Sequence, residues 1–333
     1  VTAGRMDAVS FPALSDLRAT ARVVSLPLVT RFRGIDAREA LLLEGPQGWT
    51  EFSPFVEYDD AEAAAWLTAA IDFGWHPQPA PVRDAVAVNA TVPAVAPAFV
   101  PAVLARFDGC RTAKVKVAER GQTLADDVAR VRAVRQQLGA EGRVRLDANG
   151  GWNLDEAEHA VHALSEFDLE YLEQPCASID ELAELRERIA DWDIPIAADE
   201  SVRKASDPLA VARAGAADLI VVKAQPLGGV RRALEIVADA GLPAVVSSAL
   251  DTSVGIAMGV ALAAALPDLD YDCGLGTASL LAADVTTTPL HPENGALPVR
   301  RVEPDATLLE AHAASPERRD WWLARLERCY ALL

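Results

Sequence analysis

Five residues define the chemistry open to this chain, and they recur at nearly constant intervals. Lys116, Asp147, Glu173, Asp199 and Lys223 are separated by 31, 26, 26 and 24 residues. Each closes a short apolar run: TAKVK, RVRLD, LEYLE, IPIAAD and DLIVVK. Residues that recur once per strand–helix unit, at the C-terminal ends of parallel strands, converge on one face of a barrel. Three consecutive strands then deliver a carboxylate each to neighbouring points of the rim. Three such groups cannot all stay ionised without a cation among them. With no His or Cys nearby, hard oxygen donors point to Mg²⁺, or Mn²⁺ as a substitute, with positions left for water or substrate.

The lysines sharpen this reading. Of 31 basic residues only Lys114, Lys116, Lys204 and Lys223 are lysines. Arginine stays charged, whereas a lysine can be tuned toward neutrality. Lys204 sits in a polar stretch and reads as an ordinary surface residue; the other three follow apolar β-branched runs. Strands two and six of an eight-stranded barrel are opposite, so Lys116 and Lys223 are expected to face each other across the metal. Lys114, two residues before Lys116, points the same way. An ammonium crowded by a second one and by a metal is expected to have a lowered pKa, in the range a general base needs. A cation that binds a carboxylate, beside such an amine, suits abstraction of the proton α to that carboxylate. Asn149, in LDANG, is placed to orient Asp147.

The elements that position these residues alternate from about residue 86 to 286. Apolar runs (AVAVNATV, TAKVKVA, RVRLDAN, LEYLEQP, IPIAADES, DLIVVKAQ, PAVVSSAL and, weakly, DLDYDCGL) read as eight strands. Helical patterns lie between them, several starting at a cap (Asn153, Ser178, Ser206) and some ending at a glycine (Gly139, Gly215, Gly241). The fold class is α/β, a modified TIM (β/α) barrel over 86–286. A doubly wound sheet lacks support, because no Gly-rich turn follows the first strand. Residues 1–85 read as a separate α+β capping domain, with two strand segments and the helix DDAEAAAWLTAAIDFG, joined through HPQPAPVRD. Residues 287–333 are expected to pack back on that cap.

Composition excludes several roles. Hydrophobic residues are 51% and charged residues 24% of the 333, and mean hydropathy is +0.12. Asp+Glu 49 against Lys+Arg 31 gives a net charge of −18, which repels nucleic acid and anionic membranes. The longest apolar stretch, Val254 to Leu266, is too short for a bilayer span. The N-terminus has no apolar core of signal-peptide length before Pro12 and Asp16. Four scattered cysteines without a C-x-x-C pair suit reduced cytoplasmic thiols. His159 and His162 fall mid-helix and are not read as ligands. The expected partner is a small-molecule carboxylate, with no nucleic acid and no membrane; oligomeric state is not legible.

Together, K-V-K, L-D-A-N, E-Q-P, A-D-E-S and V-V-K resemble the enolase superfamily, specifically its muconate-lactonising subgroup. Bases of Lys type beside Mg²⁺ are a known pattern there. The resemblance runs over nearly the whole chain. It implies Asp147, Glu173 and Asp199 as Mg²⁺ ligands, Lys116 as base and Lys223 as the opposite cation. Of the adjacent pair, Asp199 is chosen over Glu200, which falls on the other strand face. The segments EFSPF (Glu51 to Phe55) and VVSSALDTSVG resemble subgroup members that dehydrate 2-succinyl-6-hydroxy-2,4-cyclohexadiene-1-carboxylate to 2-succinylbenzoate in menaquinone biosynthesis. On that basis Arg33, Phe52, Ser53, Arg145, Ser247 and Ser248 are expected to contact substrate, with Arg33 and the EFSPF loop closing over the site. Arg145 has an alternative reading as a packed layer of the barrel. Gly274 matches a glycine-bearing eighth strand end. Racemisation of N-acylamino acids needs the same residues. A Schiff-base aldolase using Lys223 would not need three carboxylates, and a non-catalytic barrel would not need the filled positions.

Overall fold

A computed structural model describes residues 11–202 and 207–333. The readings of Lys204 as a surface residue and Ser206 as a cap, and the first ten residues of the N-terminal reading, lie outside the described residues. After a short helix α1 (Leu14–Thr20), strands β1 (Arg22–Phe32), β2 (Ile35–Gly45) and β3 (Gly48–Phe52) form an antiparallel meander. Helix α2 (Asp60–Trp75) follows, its first turn capped by the Asp59 carboxylate, which accepts from the Glu62 amide at 2.7 Å. Phe52, Trp66 and Leu67 share one core with Trp322 and Leu326 of the C-terminal helix. One face of the meander is therefore buried against α2 and the C-terminal helix, while Val24, Leu26, Ala40 and Leu42 of the other join the core of the second body.

The second body is a seven-stranded parallel sheet curled into a barrel. Its members in sequence are β5 (Ala90–Val92), β6 (Thr112–Lys116), β7 (Arg143–Asp147), β8 (Leu169–Glu173), β9 (Ile196–Ala198), β10 (Leu219–Val222) and β11 (Ala244–Val246). The segment AVAVNATV was expected to be one strand, but it divides. Its first half, β4 (Ala85–Ala87), leaves the barrel and pairs antiparallel with β12 (Ala296–Pro298). The division falls at Asn89, whose buried side chain turns to donate to the Ala90 carbonyl at 2.9 Å.

The expected eighth strand, DLDYDCGL, does not form as a strand. Isolated bridges Val88↔Cys273 and Ser247↔Gly274 close the ring instead. They rest on backbone bonds from Cys273 to the Ala87 carbonyl and from Gly274 to the Val246 carbonyl, both 2.8 Å. Acids at alternate positions (Asp268, Asp270, Asp272) and flanking Pro and Gly weaken any longer ladder. One of them is used elsewhere: Asp272 accepts from Arg143 Nη2 at 2.9 Å.

Helices cover the outside. They are α3 (Val100–Leu104), α4 (Leu124–Leu138), α5 (Leu154–Leu164), α6 (Ile179–Arg188), α7 (Asp207–Ala214), α8 (Val230–Ala240) and α9 (Ser253–Ala265). Two further helices, α10 (Ala306–Ala311) and α11 (Pro316–Tyr330), complete the chain. Reciprocal caps at Asn153 and Ser178 start α5 and α6 where the sequence predicts. Helix α9, which the strand–helix alternation requires after the seventh strand, lacks an amphipathic pattern. It is buried on nearly every side, so it needs no polar face. Among the described residues no helix is long and apolar enough to cross a membrane.

Candidate active site

Strand alternation sorts the barrel residues. Val144 and Leu146 of β7 belong to the core shared with the helices, whereas Arg145 and Asp147 face inward. The register sets Lys116 beside Asp147 and Asp147 beside Glu173, bringing the three strand ends level. Lys114 Nζ lies 2.6 Å from Glu173 Oε1 and 3.2 Å from Asp147 Oδ2. Lys116 Nζ lies 2.5 Å from Asp147 Oδ2 and donates to Asn149 Oδ1 at 2.7 Å. Across the ring, Lys223 pairs with Asp199.

Asn149 has a left-handed backbone, with φ of 47°. That turn lets its amide donate to Asp147 Oδ1 at 3.1 Å and its side chain to Glu200 Oε1 at 3.0 Å. One residue thus holds both the carboxylate and Lys116. Gln174 performs a similar service unforeseen by sequence, although it stands inside E-Q-P. Its Oε1 accepts from the backbone of Asp199 at 2.9 Å and of Ser201 at 3.2 Å.

The charges here are strongly coupled. Burial opposes ionisation of Asp147, but Lys116 and Lys114 outweigh it and hold that carboxyl well below its usual range. Burial also opposes the charge on Asp199, and Lys223 overrides it. Glu173 goes the other way, pushed up to about 8 by burial and by neighbouring Asp147. The expected lowering of lysine pKa is reversed at Lys114. Burial alone would lower it, yet Glu173 and Asp147 raise it well above the ordinary value. Two acids in contact with one ammonium exceed the repulsion from a second ammonium nearby.

Above this cluster lies a cavity of about 30 Å³, room for about a water molecule. Lys116, Asp147, Asp199 and Lys223 form its floor; Ser247 and Ser248 line one wall and Arg33 and Phe55 come from the cap. A larger space of about 250 Å³ adjoins it beneath the β1–β2 hairpin, and Arg33 borders both. The Arg33 guanidinium lies 4.8 Å from the Phe55 ring centre. Burial disfavours its charge, but Tyr58, Glu200, Asp199 and Asp147 more than compensate.

Ser248 Oγ donates to the Gly274 carbonyl at 2.8 Å and meets Thr277 Oγ1 at 2.7 Å. A Cβ on Gly274 would stand 2.6 Å from Ser247 Oγ, so only glycine leaves that hydroxyl in place. Thr277 and Thr91 also line the cavity and carried no sequence signal, and Leu250 lines it from within VVSSALDTSVG without having been singled out.

Three expected contacts are not brought to the cavity. Phe52 is fully buried in the cap core, edge-on to Trp322 at 5.9 Å. Ser53 is fully buried too, and its Oγ donates to Glu51 Oε1 at 2.5 Å. The chain turns after β3, so Phe55 presents the ring that Phe52 was expected to supply. Arg145 lies deeper in the barrel, with Nε 2.5 Å from Glu170 Oε2 and Nη1 2.6 Å from the Asp272 carbonyl. His162 is occupied by an edge contact with Trp192 at 4.3 Å.

Among the described residues, no three acid, imidazole or thiol groups converge as they stand on a point where an ion could sit. The lysines take up the carboxylate oxygens, yet Glu173 Oε2 is buried without a hydrogen-bond partner. An all-oxygen, buried donor set on adjacent strands, with one orphaned oxygen, fits a hard divalent cation that would displace the ammonium contacts.

The chain matches the family models described as "Enolase C-terminal domain-like" over residues 99–304 and "Enolase N-terminal domain-like" over residues 23–74. It belongs to the enolase superfamily and is an enzyme, a lyase. It is 56% identical to the o-succinylbenzoate synthase of Mycolicibacterium smegmatis over 323 residues, 97% of this chain and 98% of that one. It is 57% identical to the protein of that name from Mycobacterium ulcerans over 322 residues, 96% of each chain. Its fold is shared with the muconate lactonizing enzyme of Pseudomonas putida (TM-score 0.71, 19% identity, 88% of this chain and 98% of that one). It is shared also with the L-Ala-D/L-Glu epimerase of Bacillus subtilis (TM-score 0.72, 21% identity, 84% and 95%).

Proposed function

We propose that the chain dehydrates 2-succinyl-6-hydroxy-2,4-cyclohexadiene-1-carboxylate to 2-succinylbenzoate, as a cytoplasmic enzyme of menaquinone biosynthesis. The observation that carries this reading is Lys116, held between Asp147 and Asn149 at the cavity floor, in a chain whose full-length relatives bear the synthase name. Asp147, Glu173 and Asp199 would hold a divalent cation, Mg²⁺ by their chemistry. That ion would offset the negative charge growing on the substrate carboxylate as its α-proton leaves.

The protein's own groups do the rest. Lys116 Nζ takes the α-proton as the C–H bond breaks. The ammonium so formed returns a proton to the departing hydroxyl as the C–O bond breaks, releasing water and leaving the aromatic ring. Lys223, paired with Asp199, stays charged on the opposite side. Lys114, held protonated by Glu173 and Asp147, keeps those acids in register. The Ser247 amide is bound to the Val222 carbonyl at 2.9 Å, so only the Ser247 and Ser248 hydroxyls are left for the succinyl carboxylate, which would draw them off the Gly274 carbonyl they now meet at 3.4 and 2.8 Å. Arg33 adds a cation at the mouth.

The test compares turnover of the cyclohexadiene with racemisation of N-succinyl amino acids, each with EDTA and after Mg²⁺ is restored. Faster dehydration that EDTA abolishes and Mg²⁺ recovers supports the reading. Racemisation without dehydration favours the second reading, an N-succinylamino acid racemase, which draws on both Lys116 and Lys223 lining one cavity.

A further inference from the structure

The cap and the barrel meet around a buried guanidinium that the proposed chemistry does not use. Arg38 is on β2 and only 2% exposed. Its Nε donates to the Leu250 carbonyl of the barrel at 3.2 Å. Its Nη2 donates to the Ser53 carbonyl of the cap and to Ser53 Oγ, the latter at 3.1 Å. Its guanidinium carbon lies 4.4 Å from the centre of the Phe55 ring, which also carries Arg33.

Both bonded loops reach the cavity. Leu250 and Phe55 line it directly, and Ser247 and Ser248 precede Leu250 by three and two residues. Leu250 has a left-handed backbone, φ 63°, an uncommon conformation for a residue with a Cβ. That conformation persists only where surrounding contacts over-determine it. The Arg38 bond to its carbonyl is one such contact.

A second tie runs in parallel. Glu51 Oε2 accepts from Thr252 Oγ1 at 2.5 Å and from the amides of Thr252 and Gly255 at 3.1 Å each. Its other oxygen receives Ser53 Oγ. A Cβ on Gly255 would stand 2.7 Å from Glu51 Cδ, so the first turn of α9 is shaped around this carboxylate. The cap loop is thus tied at Ser53 to both Arg38 and Glu51, and the barrel loop at Leu250 and Thr252.

We infer that Arg38 is a positioning residue that fixes, through Ser53, Phe55 and Leu250, the two walls facing the substrate from opposite domains, and thereby sets how tightly the extended acyl group is held. It touches none of the reacting atoms. The inference rests on the proposed dehydration, because the quantity it governs is the grip on that substrate.

The experiment uses the full chain with Arg38→Met and Arg38→Lys, checked for folding by thermal melting. Arg38→Met is expected to raise KM for the cyclohexadiene roughly tenfold, with a smaller change in kcat, as loss of geometry at a binding wall should. Lysine restores the buried charge but cannot bond both carbonyls from one planar fork. Arg38→Lys should therefore recover melting temperature more fully than KM. Hydrogen exchange should quicken at residues 53–56 and 247–255 in both variants. A folded Arg38→Met enzyme with wild-type KM overturns the inference, as does KM that follows melting temperature in parallel across both variants. If the wild type does not turn over the cyclohexadiene, the dehydration reading fails. Hydrogen exchange then decides the positional claim alone, with unchanged exchange in both segments refuting it.

Discussion

The upper and lower layers of the barrel interior use the same strands and opposite electrostatics. Lys114 and Arg145 are direct neighbours in the register of β6 and β7. Lys114 reaches up to Glu173 and Asp147, in a cluster where an acid oxygen stays orphaned and Glu173 is held near protonation. Arg145 reaches down to Glu170, Asn89 and the Asp272 carbonyl, over the apolar layer of Tyr171, Ala197, Leu219, Val221 and Val245. Its guanidinium lies 4.7 Å from the Tyr171 ring centre. The lower layer pairs its charge with fixed partners through Arg145 Nε and Nη1, leaving only Nη2 without one. The upper layer keeps its acids and ammonium groups in contest, an arrangement that an arriving cation and substrate can redistribute.

Substitutions can break that contrast. Lys116→Ala is expected to reduce dehydration by several orders of magnitude, since positioned acid–base catalysis alone supplies about 10²–10⁴ and this residue serves twice. Steady-state kinetics on folded enzyme checks it; near-normal turnover would remove Lys116 from the chemistry. Next come Asp147→Asn, Glu173→Gln and Asp199→Asn, each expected to weaken Mg²⁺ binding and activity together. Unchanged calorimetric affinity in all three would mean the upper layer is not a metal site.

Lys223→Arg sharpens the division between two reactions. It keeps a cation but no base at neutral pH, so measurable dehydration should survive while racemisation of N-succinyl amino acids is lost. Deuterium uptake followed by NMR distinguishes the two; loss of dehydration here with retention in Lys116→Ala would reverse the roles. The smallest catalytic effect is predicted in the lower layer. Arg145→Met should cost about 1–3 kcal/mol of stability, because Asn89 Oδ1 and the Asp272 carbonyl lose a donor and Glu170 keeps only Arg143, at 3.6 Å. Its kcat/KM per folded molecule should stay near wild type. A raised KM with unchanged denaturation midpoint would instead return Arg145 to the substrate.

The sequence by itself determined which strand ends bring charged side chains together and where on the strands they lie. Parallel neighbours in register repeat one geometry per βα unit, so polar residues ending apolar runs must meet. That logic led to Lys114, Lys116, Asp147, Glu173, Asp199, Lys223 and Asn149 without knowledge of a single distance. Helix starts at Asn153 and Ser178 were equally local, since a cap satisfies amides only three residues away. Tertiary structure alone decided what depends on partners far along the chain. Arg38 meets Leu250 across 212 residues, and Glu51 meets Thr252 across 201. Phe55 rather than Phe52 reaches the cavity because Trp322, near the other end of the chain, claims Phe52. The ring closes by two bridges at Cys273 and Gly274 rather than by a strand, and the Asp272 carbonyl beside them is taken by Arg145 instead of a ladder partner. Alternation told that Arg145 points inward, but up or down was settled by partners from distant segments beneath it, the Glu170 carboxylate and the Asp272 carbonyl.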